Sequence, residues 1–218
     1  MRFVLALVVM LRGAAAMADL SFWVHEWPET DFSRSAVESW TEILSGGPGK
    51  DGIPALSDPV MIPVAEAALP DAAPVLVVAL EGEAARAYPL RYLTWHEIVN
   101  DRIGGRPVTV TFCPLCNSAV AFDGRVDGRV LTFGVTGKLR HSDMVMYDHQ
   151  TESWWQQAIG RGIVGEMTGV ELEALPSWLE GFAQFRAAHP QGLVMAEPAF
   201  GRPYGRNPYA GYDSAERP

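Results

Sequence analysis

The sequence predicts an α+β domain that is β-rich, built on a mostly antiparallel sheet or a partly open barrel with about three short helices. Three observations carry this reading. About nine short strand-like segments cluster in the middle of the chain. Most are joined by loops of hairpin length, with turn signals at Asp123-Gly124, Asp127-Gly128 and Asp148-x-x-Thr151. Strand and helix patterns do not alternate as a parallel, doubly wound sheet would require.

Taken in order, Ser33 to Leu44 carries a helical pattern, with Val37, Trp40, Ile43 and Leu44 on one face, ended by Gly46-Gly47-Pro48-Gly49. Lys50 to Leu56 reads as an ordered loop. Ile62–Ala68 and Ala73–Leu80 are short apolar segments, the second a buried strand paired with Ala85–Leu90 around Gly82. Thr94 and Glu97 have capping-box spacing and predict a helix over Trp95–Asn100, followed by a turn at Gly104-Gly105. Pro107 to Phe112 alternates as a strand. Ala119–Phe122 and Val130–Val135 flank one hairpin loop, and Met144–Tyr147 and Ser153–Gln157 flank another. Because neighbouring strand side chains face opposite ways, one of Trp154 and Trp155 is expected in the core and the other at a surface or pocket. Ile163–Gly165 is a short segment, Trp178–Ala188 predicts a helix and Leu193–Ala196 a last strand. The chain from Phe200 lacks periodicity and reads as an extended wrap or a loose end.

Residues 1–18 form a separate unit: Arg2, an apolar run from Phe3 to Leu11, and Ala16-x-Ala18 before Asp19. They read as a signal peptide, which implies a periplasmic or secreted protein without stable membrane insertion after cleavage. Residues 19–218 then form a single domain, with an N-terminal elaboration at 19–70, a β-rich core at 71–200 and an extended tail at 201–218. The whole chain has 17 Lys and Arg against 26 Asp and Glu. No basic cluster is present to neutralise phosphates, which argues against nucleic acid and anionic membrane surfaces as partners. GxSxG, HExxH, haem-attachment and phosphate-loop motifs are absent.

The only cysteines are Cys113 and Cys116, in Cys113-Pro114-Leu115-Cys116 at the end of the Val108–Phe112 strand. Such a pair serves as a redox couple, as half of a metal site, or as a local disulfide. A bridge over two intervening residues removes little unfolded-state freedom, so stabilisation alone is a weak reason for it. A thioredoxin-type site needs a helix after the pair, but Asn117 to Phe122 runs into Asp123-Gly124 with room for barely one helical turn. A metal knuckle needs a tight turn, and Asn117 tolerates the positive φ that such a turn demands. Two thiolates suit Zn(II) or Cu(I), with zinc requiring further donors.

Of the five histidines, His96 is the leading further ligand, because a return across Gly104-Gly105 brings it towards the cysteines. Its plainer reading is a ring packed beside Trp95 and hydrogen-bonded within its loop. His141 and His149 are second choices. Asn117, Ser118, Glu97, Ser142, Asp143, Tyr147 and Asp148 supply a surrounding polar layer. An ion pair is the simplest role for Arg140.

Read together, Gly46–Leu56, Trp95–Asp101, Cys113–Ser118, Phe133–Gly137, Ser142–Asp148 and Gln150–Trp154 resemble an exported bacterial family known as a domain of unknown function, number 3179 of its series. The resemblance spans roughly residues 35–200. It implies Cys-Pro-Leu-Cys-Gly-Ser as the usual motif, so Asn117 replaces a glycine, and it favours Cys113, Cys116 and His96 as the shared trio over His141. It supplies no substrate. The leading expectation is an exported protein that binds or handles copper or zinc. A thiol–disulfide oxidoreductase, with Cys113 attacking and Cys116 resolving, is the enzyme alternative. A non-catalytic domain with a local disulfide, docking another envelope protein through Trp154 or Trp155 and the Tyr-rich tail, is the third.

Overall fold

The computed structural model describes Leu20 and residues 22–211. The expected signal peptide and the last seven residues of the tail lie outside the described residues. A short helix covers residues 22–26. The strands follow as β1 (Ile43–Ser45), β2 (Leu56–Ser57), β3 (Met61–Pro63), β4 (Pro74–Val78) and β5 (Arg86–Pro89), and then helix α1 (Leu90–His96). Next come β6 (Ile98–Ile103), β7 (Arg106–Cys113), β8 (Ser118–Asp123), β9 (Arg125–Val126), β10 (Arg129–Val130), β11 (Phe133–Arg140) and β12 (Asp143–Asp148). The chain ends with β13 (Trp154–Gln156), β14 (Arg161–Val164), β15 (Ala174–Leu175), β16 (Ser177–Gly181), helix α2 (Phe182–Ala188) and β17 (Leu193–Met195).

These strands build three five-stranded sheets and a two-stranded ribbon, β9–β10. The first sheet runs β1-β11-β12-β13-β14, the second β15-β8-β7-β6-β2 and the third β16-β4-β5-β17-β3. All pairings are antiparallel except β2 with β6 and β5 with β17. The fold is thus the expected β-rich α+β class, mostly antiparallel, realised as stacked open sheets, with no closed barrel among the described residues. Among the described residues, no helix is long and apolar enough to cross a membrane.

Side-chain alternation explains the stacking. Along β7, Val108, Val110 and Phe112 enter a cluster with Leu76, Tyr88 and Leu93, which fills the space between the second and third sheets. Cys113 faces the other way, into a cluster with Phe133, Met144, Met146 and Trp155 between the second and first sheets. The outer face of the first sheet is covered by Trp23, Trp27, Phe32 and Trp40. The outer face of the third is covered by Phe182 and Phe185 of α2. With both faces of the first sheet covered, Trp154 and Trp155 are both fully buried, on opposite sides. The expectation that one would reach a surface assumed a half-exposed sheet.

The expected helices moved for identifiable reasons. Within the helix expected over Ser33–Leu44, Ser39 and Glu42 form a capping box that closes only a 3₁₀ turn, Trp40–Glu42, before Ile43 pairs with Arg140. The helix expected over Trp95–Asn100 starts earlier, at Leu90, and ends at His96. There Thr94 bonds back to the Leu90 carbonyl instead of capping, and Ile98 begins a strand whose β-branched residues fit the sheet. Trp178–Gly181 is a strand edge on β4, and the helix covers only its second half, from Phe182. The long hairpin loop at 123–128 instead carries its own ribbon around Asp127-Gly128, leaving β8 and β11 in different sheets.

Gly137 sits at φ +71° in a register shift of β11, where a Cβ would run into the Pro48 carbonyl of the 46–52 loop. Gly137→Ala is therefore expected to lower unfolding free energy by at least about 2 kcal/mol, measured by urea denaturation. A loss under about 0.5 kcal/mol would show that this loop does not rest on β11.

Candidate metal centre

The cysteines occupy the turn between β7 and β8, which closes with Cys113 opposite Ser118. Residues 114–117 form the loop, and Asn117 takes φ +52°, the conformation its side chain tolerates best after glycine. The next residue is already strand, so no helix follows the pair and a thioredoxin-type setting is missing. Cys113 is fully buried, whereas Cys116 is exposed, and both are free thiols.

A second hairpin turn, between β11 and β12, meets this one. Arg140 pairs with Asp143 across a two-residue turn in which His141 and Ser142 both have positive φ, +53° and +61°. Asp143 Oδ1 lies 3.4 Å from Cys116 Sγ, and the Ser142 carbonyl lies 3.9 Å from Cys113 Sγ. The ligand atoms of Cys113, Cys116 and Asp143 all lie within 4.8 Å of one another.

A 3₁₀ turn, Gln157–Ile159, holds the two hairpins together. The Ala158 N–H donates to Asp143 Oδ2 at 3.0 Å, which leaves Oδ1 directed at Cys116. Buried Gln157 donates through Nε2 to Thr111 Oγ1 (2.7 Å) and the Ser118 carbonyl (3.4 Å), fixing both strands of the cysteine hairpin. A carboxylate oriented by an outer hydrogen bond is typical support for a metal ligand.

Without a cation both thiols keep their protons, and the Cys116 S–H donates to Asp143 Oδ1. Burial pushes the Cys113 thiol up. Partial desolvation, the neighbouring Cys113 and the Asp143 carboxylate push Cys116 up further. Asp143 is buried, yet among the described residues it has no ion pair with a Lys, Arg or His. Two thiols and a buried carboxylate at this spacing repel as anions, and a bound divalent ion reverses that sign.

His96 does not join the cluster. Its Nδ1 lies 2.7 Å from the Pro54 carbonyl and so carries the proton, while Nε2 accepts from the Tyr204 hydroxyl at 2.6 Å. Burial holds its pKa below the usual histidine value. Both ring nitrogens are committed, and Asp143 takes the place beside the sulfurs that the sequence reading gave to His96. The other expected positions divide. Asn117, Ser118 and Ser142 belong to the two turns. Tyr147 and Asp148 lie at the far end of β12, about 13 and 17 Å along the strand from Asp143. Tyr147 donates to Asp51, and Asp148 accepts from Thr151 and Trp155. His141 is exposed, 3.8 Å from Glu42, and Arg140 makes the expected ion pair with Glu42. His149 contacts Thr132.

Glu97 is the remaining polar position and the most strained. It ends α1 at φ +58°, ψ −35°, and its side chain is buried, accepting a 2.6 Å bond from Tyr209. Glu97, Tyr209, Leu115 and Met144 share the wall of a cavity of about 100 Å³ beside the cysteine turn. The sequence gives no sign of the Tyr209 contact, since an aperiodic tail carries no contact signal. Burial pushes Glu97 up to about 7, against the lowering effect of the Tyr209 hydroxyl.

A carboxyl raised on folding holds its proton in the native state while the unfolded chain has lost it. Glu97 thus costs stability as pH rises from about 4.5 to 7, by an amount on the order of 3 kcal/mol. Glu97→Gln keeps an acceptor for Tyr209 and is expected to remove this slope, making the variant more stable than the parent at pH 8. Denaturation midpoints of metal-free protein at pH 5 and pH 8 check this, and parallel midpoints for the two proteins would contradict it.

Comparison with known proteins adds a family but no activity. Searches among curated proteins and solved structures gave no match. A family model described as a protein of unknown function, DUF3179, matches residues 50–218, which include both cysteines, Asp143 and Glu97. The chain therefore belongs to the DUF3179 family.

Proposed function

We propose that this protein is an exported metal-binding protein in which Cys113, Cys116 and Asp143 hold one divalent zinc ion. The observation that carries the reading is the convergence of three donor atoms within 4.8 Å on two hairpin turns that are fixed without the ion. Both zinc and Cu(I) accept thiolates, and the hard carboxylate oxygen shifts the preference towards zinc. Three protein donors leave one tetrahedral position for water or a ligand, the donor count of catalytic zinc sites. Export rests on the leader-like residues 1–18.

Thiol–disulfide exchange is the second reading, supported by the closeness of the two sulfurs. It requires a thiolate at neutral pH, and both thiols are shifted the other way, with Asp143 beside the exposed one. The same raised thiols suit a metal site whose affinity depends on pH, since binding must displace their protons.

Titration of reduced, metal-free protein with zinc against a chromophoric chelator is expected to give one equivalent bound per chain. Cys116→Ser abolishes this binding, and Asp143→Asn weakens it by at least about tenfold. Affinity falls by up to about a hundredfold per pH unit on acidification, because two thiols must lose protons. Equal zinc binding by the Cys113→Ser/Cys116→Ser protein would overturn the assignment. Absence of zinc binding together with a reversible couple above about −300 mV would transfer the site to redox chemistry.

A further inference from the structure

A cleft of about 330 Å³ lies on the outer side of the cysteine turn, between that turn and the C-terminal tail. Pro114 and Asn117 form its edge on the turn side, and Leu90 and Phe112 give it apolar walls. Two arginines, Arg91 from α1 and Arg206 from the tail, line it, and no carboxylate does. This is unexpected in a chain of formal charge −9. Among the described residues neither guanidinium has a carboxylate within ion-pair distance, although seven other arginines do. Arg91 Nη2 donates to the Tyr204 carbonyl at 3.0 Å, but its Nε is buried without a hydrogen-bond partner. A guanidinium with no carboxylate partner can donate charge-assisted hydrogen bonds to an oxyanion.

We infer that this cleft binds a small organic anion, its oxyanion head on Arg91 and Arg206 and its apolar body against Phe112, Leu90 and Pro114. A planar guanidinium fork matches carboxylate and phosphate alike, and the apolar walls call for a carbon body rather than an inorganic ion. The volume is ample for a ring, since benzene occupies an apolar cavity of about 150 Å³ in another protein. Neither sulfur lines the cleft, so the anion is held by the arginines whether or not a metal is bound.

Isothermal titration of the reduced protein with benzoate, phenyl phosphate and benzyl alcohol tests this. Benzoate or phenyl phosphate is expected to bind at least tenfold more tightly than benzyl alcohol, and the stronger of the two identifies the head group. Arg206→Gln, at an exposed position, is expected to weaken the anion about tenfold or more with the melting temperature unchanged. Arg91→Lys keeps the charge and removes the fork, and is expected to weaken it as well. Cys116→Ser protein, which separates this site from the zinc reading, is expected to bind the anion as the parent does. Equal binding of all three probes, or undiminished anion binding by Arg206→Gln, would overturn the inference. Loss of anion binding in Cys116→Ser alone would place the anion on the metal instead of the arginines.

Discussion

The contact on which the site depends is made by the 3₁₀ turn at Gln157–Ile159, which ties a hairpin of the second sheet to a hairpin of the first. The sulfurs belong to one hairpin and the carboxylate to the other, and no sequence-local interaction brings them together. Gln157 reaches the cysteine hairpin, while Ala158, one residue on, holds Asp143. Each turn also keeps non-glycine residues at positive φ: Asn117 in one, His141 and Ser142 in the other. Such conformations persist only where the surrounding structure over-determines them. The two sulfurs and the carboxylate are thus placed by packing alone.

The layers on either side bury the sheet that carries one half of that clamp. The first sheet is buried on both faces, by Trp155, Phe133 and Met146 inside and by Trp154, Trp27 and Trp23 outside. Both lysines of the chain lie over Trp27, Lys50 at 4.5 Å and Lys138 at 5.8 Å from the ring. Each also pairs with a glutamate, Glu152 and Glu26 respectively. Lys50 lies in the loop that rests on Gly137, and the same loop lines the cavity containing Glu97 and Leu115. The aromatic outer layer and the cysteine turn are therefore connected through β11 and this loop. On the other side the tail reaches back through Tyr204 to His96 and through Tyr209 to Glu97.

Much of this was legible in the sequence where physics is local. The β4–β5 and β12–β13 hairpins followed from alternation and turn residues, and the tight cysteine turn from Asn117 and the lack of room for a helix. Helix boundaries were not legible where capping signals were satisfied in other ways: Thr94 bonds backwards to Leu90, and Ser39 with Glu42 caps only a single 3₁₀ turn. The third member of the cluster is hidden for a different reason. His96 is close to the cysteines in sequence and carries the commoner ligand chemistry, but its ring nitrogens are spent on Pro54 and Tyr204. In the sequence Asp143 reads only as a neighbouring polar group, because its position depends on inter-sheet contacts that leave no spacing pattern. Gln157 and Tyr209 are of the same kind. Their roles come from partners 46 and 112 residues away.

The claim that two thiolates and one carboxylate share a single ion is tested most directly by X-ray absorption at the zinc edge of the loaded protein. The account predicts two sulfur scatterers at about 2.3 Å and a light-atom shell at about 2.0–2.2 Å. A first shell of oxygen and nitrogen alone, with no sulfur, would contradict it.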